Sequence, residues 1–104
     1  KLRIVNYEYS KYSAWHLLII EIKKKNMNLE KFYNFLFKKN IITQLHYVPT
    51  YRFSVFKKYL KTKYMKHNLN SEHYFKNCIS LPIYFNLKIK DVDYISKKIL
   101  EVLL

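Results

Sequence analysis

The chain has 104 residues, with 20 lysines and arginines against 7 acidic residues and a formal net charge of +13. Half of it is hydrophobic, enough for one domain with a modest core rather than a disordered segment. Glycine is absent, which excludes every glycine-rich phosphate loop, and the single Cys78 excludes an internal disulfide and fits a reducing compartment.

Taken in chain order, residues 2–9 alternate loosely and read as an edge strand or an entry segment. Residues 14–22 turn apolar and β-branched toward their end. They predict a strand covered on both faces for most of its length, with Glu21 outside the pattern. Lys23, Lys24, Lys25 and Asn26 form a polar turn. Asn28 is an expected N-cap with Glu30 in the first turn, and Leu29, Phe32, Tyr33, Leu36 and Phe37 then follow at helical spacing. Lys38 and Lys39 suit the negative end of that helix. Asn40 stands where a left-handed cap needs glycine, and Asn26, Asn68 and Asn86 are expected to be similar substitutes.

Residues 41–48 predict a second strand. Phe53, Phe56 and Leu60 carry a short helix, residues 61–68 a basic loop, and Asn70 or Ser71 caps a helix running toward Cys78. Residues 79–81 predict a third strand. Val92, Ile95, Ile99, Val102 and Leu103 line one face of a last helix. The expected order is β-α-β-α-α-β-α, an α+β domain in which a small sheet is covered by helices. An aromatic content of 18% exceeds what so small a core needs and implies surface meant for another domain or subunit.

The charge invites an anionic partner, and a single-strand nucleic-acid-binding module is one alternative reading, with tyrosines as stacking platforms. Against it, arginine occurs only at Arg3 and Arg52, and the lysine, asparagine, isoleucine and tyrosine that dominate are what A/T-rich codons supply. Phosphate readers favour arginine forks, so a solvated lysine surface and no nucleic-acid partner are expected. A noncatalytic interaction domain is the other alternative. The longest apolar run, residues 14–20, is too short to span a bilayer, so no membrane partner is expected. The chain begins at Lys1 with no signal-peptide pattern and reads as a piece of a longer protein.

Metal-ligand spacings such as CxxC, HxH and HExxH are absent, so no metal site is expected. Cys78 reads as a buried small hydrophobe, His67 and His73 as surface residues, and His16 as a sheet histidine bonded to a backbone carbonyl. His46 differs. It ends an apolar run just before Pro49, where a strand must leave the sheet and a rigid scaffold presents side chains to a ligand. Tyr47 and Tyr51 flank it with hydroxyls that either bond a ligand or stand in water.

Four blocks, in order, resemble the small C-terminal domain of the DegT/DnrJ/StrS sugar aminotransferases. Ser13-Ala14-Trp15-His16-Leu17 is similar to an S-x-(Y/W)-H-L strand, and Leu36 to Ile41 to an L-x-x-x-G-I helix end with Asn40 in place of glycine. Residues 44–49 are similar to a Q-x-H-Y-x-P loop. Glu72, Tyr74 and residues 78–82 resemble E-x-Y…C-I-S-L-P, followed by a helix opened by acids such as Asp91 and Asp93. The H-Y-x-P form most resembles nucleotide-sugar 4-aminotransferases of pseudaminic acid type pathways. Many relatives carry a second histidine where this chain has Tyr51.

The resemblance implies a single domain over residues 1–104, of the fold type I pyridoxal-phosphate architecture. It implies a full-length cytoplasmic homodimer that moves an amino group, from glutamate, onto a keto sugar of surface glycan biosynthesis. The nucleotide sugar would be the substrate, with His46, Tyr47 and Tyr51 lining its sugar side. Pyridoxal phosphate would be held mainly by a large domain of the same chain that also carries the Schiff-base lysine. This portion alone would be inactive and contribute no catalytic residue.

Overall fold

A computed structural model of the protein describes residues 1–59 and 69–104. Four antiparallel strands form one sheet: β1 (Leu2–Ile4), β2 (Leu18–Ile22), β3 (Gln44–Leu45) and β4 (Cys78–Leu81). Their spatial order is β1-β2-β4-β3, so the last strand in sequence lies between β2 and β3. The helices are α1 (Leu29–Lys38), α2 (Ser54–Lys57), α3 (Leu69–Asn77) and α4 (Ile89–Leu103), with 3-10 turns over Tyr7–Tyr12 and Thr50–Arg52. The α+β class and the sheet-under-helices architecture are as expected. The first 3-10 turn is an addition: it opens at Asn6, which is left-handed at φ 56°.

The strand pleat sorts side chains onto two faces. Ile20 and Ile22 of β2 and Ile79 of β4 share one face, where Phe32 and Leu36 of α1 and Ile99 and Leu103 of α4 pack to form the core. Glu21, Cys78, Ser80 and Gln44 fall on the other face, and α3 lies against β2 and β4 there. β2 is therefore covered on both faces at its end, and its Glu21 obeys the alternation instead of breaking it.

Helix α1 forms as its spacing predicts. The Asn28 side chain accepts from the Lys31 amide at 2.8 Å, and Phe32 and Leu36 are fully buried. Its far end closes as a Schellman motif. The Ile41 amide donates to Leu36 O at 3.0 Å, Asn40 donates to Phe37 O at 3.0 Å, and Asn40 is left-handed at φ 58°. Ile41 then enters the core beside Leu36, so the cap is tied to burial. Alanine at position 40 would carry the left-handed penalty, so Asn40→Ala is expected to cost about 1–2 kcal/mol and Asn40→Gly almost nothing. Urea midpoints of the two variants check this, and equal midpoints would mean that the cap contributes nothing.

Several expectations are corrected. The strand predicted over 14–22 starts only at Leu18, because Trp15 is left-handed at φ 49° and its amide donates to the Ser13 hydroxyl. His16 therefore lies outside the sheet and is exposed rather than bonded within it. The strand predicted over 41–48 is paired only at Gln44 and Leu45. Ile41 belongs to the helix cap, and the chain leaves the ladder ahead of Pro49. Phe37 is 55% exposed, its ring stacked 6.1 Å from Tyr33, since its position turns past the edge of the buried stripe. Val92 is likewise exposed, two turns before Ile99, the first buried residue of α4.

Asn70 and Ser71 lie inside α3 rather than capping it. Asn26 and Asn86 do not take positive φ; among the described residues Asn6, Trp15 and Asn40 do. The expectations for Leu60, His67, Asn68 and the basic loop 61–68 fall outside the described residues.

Candidate functional site

Leu45 is the last paired residue of β3, and the next seven residues carry the expected site. His46 follows directly and stays half-buried over the sheet. Pro49, extended at φ −53° and ψ 130°, cannot donate to a ladder and leads into the Thr50–Arg52 turn. That turn is held by helix α3, whose residues 72, 73 and 74 each reach a different target. Consecutive helical residues point about 100° apart, so one short helix can fasten three things at once.

Glu72 reaches the turn. Tyr51 donates its hydroxyl to Glu72 Oε1 at 2.6 Å, Arg52 donates Nε to the same oxygen at 2.8 Å, and the Arg52 Nη2 bonds Oε2. The Arg52 guanidinium also lies 5.0 Å from the Phe75 ring centre. Arg52 first, and Tyr51 second, hold the Glu72 carboxyl down at about 2.

His73 reaches the sheet. Its Nε2–H donates to Glu21 Oε1 at 2.8 Å, while its Nδ1 faces the Asn77 amide at 3.3 Å. Arg3, opposite Glu21 on β1, closes the other carboxylate oxygen at 2.8 Å. Glu21 is 4% exposed. The His73 bond and the charges of Arg3 and Lys23 lower its pKa against the opposing effect of burial. His73 is thus no idle surface residue, contrary to expectation. Its Nε2 supports a buried charge, and His73→Ala is expected to cost about 1.5–3 kcal/mol by leaving that charge short of a donor. The urea midpoint measures it, and a change under about 0.5 kcal/mol would show that Arg3 suffices.

Tyr74 reaches His46. The rings tilt at 50° with centres 4.9 Å apart, and the Tyr74 hydroxyl stands 3.4 Å from His46 Nε2. The Ser80 hydroxyl stands 3.5 Å from the same nitrogen. Either hydroxyl can donate to the single lone pair of Nε2, which leaves Nδ1–H as the donor on the far side of the ring. Burial pushes the His46 pKa below its ordinary 6.5, so the ring is neutral at neutral pH.

Both acidic anchors are ionised more easily in the folded chain than in the unfolded one. Their contribution to stability is complete above the ordinary carboxyl value of 4.5; that of Glu72 is lost as pH falls toward about 2, and that of Glu21 as pH falls through its own lowered value. The urea midpoint is expected to drop between about pH 5 and about pH 3, and to drop less in Glu72→Gln. An equal drop in the variant would remove Glu72 from the account.

The expected residues do not share one pocket. Tyr47, which is 92% exposed, and Tyr51 line a hollow of about 440 Å³ with Thr50, Asn70, Ser71 and Tyr74. His46 lies across Tyr74 and faces a larger groove of about 1230 Å³ between α1, the end of β2 and the end of α3. Tyr33, Phe75 and Met27 supply apolar wall there, with Lys23, Lys25 and Lys76 at its rim. Residues 72, 73, 52 and 21 were missed as members of the site. A signal existed for two of them: the chain's second arginine adjoins Tyr51, and Glu72 stands two residues before Tyr74.

Pyridoxal phosphate needs a lysine in a dry pocket, a carboxylate for its ring nitrogen and a phosphate cradle. Among the described residues no lysine is buried. These residues do not by themselves fit the cofactor.

Residues 2–100 match the model of the DegT/DnrJ/EryC1/StrS aminotransferase family. This chain belongs to that family. Over 82 residues it is 37% identical to an uncharacterised protein of Methanocaldococcus jannaschii, covering 76% of this chain and 21% of that one. Over 74 residues it is 28% identical to the UDP-4-amino-4,6-dideoxy-N-acetyl-beta-L-altrosamine transaminase of Campylobacter jejuni, covering 71% and 19%. Among solved structures it is similar to Spr1654 of Streptococcus pneumoniae, assigned as a sugar aminotransferase and solved in its PMP form. That similarity has a TM-score of 0.65 and 26% identity, over 86% of this chain and 23% of the other. The fold is therefore that of the small domain of the fold type I enzymes, as the resemblance implied. The chain spans about a fifth of the length of these relatives. Among the described residues no helix is long and apolar enough to cross a membrane.

Proposed function

We propose that this family member is the C-terminal small domain of a longer pyridoxal-phosphate-dependent sugar aminotransferase. The enzyme would transfer an amino group from glutamate to the 4-keto group of a UDP-linked sugar. The similarity to Spr1654 carries this reading, because it joins fold and sequence over most of the chain. The Campylobacter jejuni relative, by its name, supports a UDP-linked 4-amino sugar. The rest of such a protein would supply the Schiff-base lysine and the cofactor's phosphate and ring contacts. It would act as a cytoplasmic homodimer in the making of a surface glycan.

Within that enzyme, the strand-end block is proposed to face the sugar. His46 would offer Nδ1–H to a sugar oxygen while Tyr74 and Ser80 hold Nε2. Tyr47 and Tyr51 would line the sugar's other side. A small domain closing over the substrate would orient it and exclude water.

The test is direct. The complete gene product, loaded with pyridoxal phosphate, should convert UDP-4-keto-6-deoxy-N-acetylhexosamine and glutamate to the 4-amino sugar and 2-oxoglutarate. The 104-residue chain should give no turnover and no borohydride-trapped adduct at one defined lysine. A complete protein that shows no Schiff-base absorbance and no amino transfer would sink the proposal, as would turnover by the 104 residues alone.

A further inference from the structure

A phenol has one proton to give and lone pairs to receive. Tyr51 already directs its one proton at Glu72 Oε1, 2.6 Å away. That carboxylate does not drift, because the Arg52 fork closes both of its oxygens and Lys76 approaches at 3.5 Å from one turn along α3. Glu72 is three-quarters covered, at 24% side-chain exposure, and Arg52 is itself braced over Phe75. A hydroxyl bonded to an ionised carboxylate keeps that bond in preference to a neutral acceptor, since charge-assisted bonds are about twice as strong. Tyr51 therefore meets whatever enters the hollow as an acceptor.

We propose that Glu72 is a positioning residue that fastens the Thr50–Arg52 turn to α3 and sets Tyr51 as an acceptor, so that the hollow selects ligands presenting a hydroxyl or N–H to that oxygen. The ligand half rests on the reading above that the hollow meets a sugar. The positioning half stands on the geometry of the chain alone. Without Glu72, the Tyr51 proton is free to be donated elsewhere, and the turn keeps its backbone bonds, Arg52 N to Pro49 O at 2.9 Å and Phe53 N to Thr50 O at 3.0 Å, and the contact of Arg52 with Phe75.

The two halves are tested separately. The 104-residue chain is labelled with ¹³Cζ tyrosine, and the Tyr51 resonance is assigned by its loss in Tyr51→Phe. In the parent chain Tyr51 should titrate above the ordinary 10, pushed up by loss of water and by the Glu72 bond. Glu72→Gln and Glu72→Ala should make the phenol at least about fivefold more acidic than in the parent. The Phe53 amide should exchange about tenfold faster in both variants. A Tyr51 titration and a Phe53 exchange rate equal to the parent's would overturn the positioning role. Should Glu72→Ala fail to fold, Glu72→Gln, which keeps the side chain's shape, decides alone.

The ligand half is read in the complete enzyme with the UDP-4-keto sugar. Glu72→Gln and Tyr51→Phe should each raise KM about tenfold with kcat within about twofold, and the double variant should be no worse than either single one. Additive losses would overturn the claim that Glu72 acts through Tyr51. A shifted Tyr51 titration with unchanged KM in all three variants would leave the positioning role standing and remove the sugar from the hollow.

Discussion

Phe32→Ala is expected to be the most destabilising single change in the chain, at about 3–5 kcal/mol. Phe32 is fully buried, at 0% exposure, in the cluster where α1 meets β2, β4 and α4. Removing the ring deletes its transfer free energy and leaves a cavity walled by Ile20, Leu36 and Ile79, themselves nearly or fully buried. Those neighbours sit on a paired sheet and a capped helix, so the site has little room to collapse. A domain of this size is stable by only about 5–15 kcal/mol, so the variant would stand near the edge of folding. The measurement is the urea midpoint and slope against the parent chain. A loss under about 1.5 kcal/mol would mean that the core does not close around α1 as described.

His46→Ala is expected to have the largest effect on function. In the complete enzyme, losing one positioned hydrogen bond to the sugar should lower kcat/KM about tenfold to a hundredfold. The stability cost should stay near about 1 kcal/mol, since His46 is only half-buried and its bonds to Tyr74 and Ser80 are long, at 3.4 and 3.5 Å. His73 is no neutral control because it supports Glu21; the exposed His16 serves instead.

The pH profile adds a second readout. A histidine with a lowered pKa stays neutral just below 6.5, while the unfolded chain already takes up a proton there. The native state is favoured above 6.5 and loses that advantage as pH falls through the lower, native value. The loss of stability this group contributes should therefore begin as pH falls below 6.5 and vanish in His46→Ala, read as the urea midpoint against pH. A variant that keeps full activity, or loses activity only in step with stability, would make His46 structural.

How much of this was legible follows physical lines. Helix α1 was readable end to end because its signals are local: a cap, a 3.6-residue stripe and an asparagine where glycine usually stands. Strands were readable in their cores but not at their ends. Whether residues 14–17 and 41–43 pair depends on a left-handed Trp15 and on a helix cap drawing Ile41 inward, neither of which hydropathy records. The strand-end position of His46 was readable from Pro49. The charged anchors were not: Glu21 meets Arg3 across a hairpin and His73 across 52 residues, and such pairings are properties of the register, not of spacing. Glu72 lay in a recognised block, yet its bond to Tyr51 appears only once α3 is laid over the turn.

The place of β4 has a consequence for how the chain reaches its fold. The strand that emerges last is the one both inner ladders need, since β2 and β3 each pair with it and not with each other. Until residues 78–81 arrive, the β1–β2 hairpin presents an open edge and Gln44–Leu45 has no strand to join. Contacts of such sequence separation make for slow closure. During synthesis the nascent chain would carry exposed backbone edges and a bare apolar face for most of its length, a state that invites association between copies. A net charge of +13 opposes such association, because like-charged chains repel.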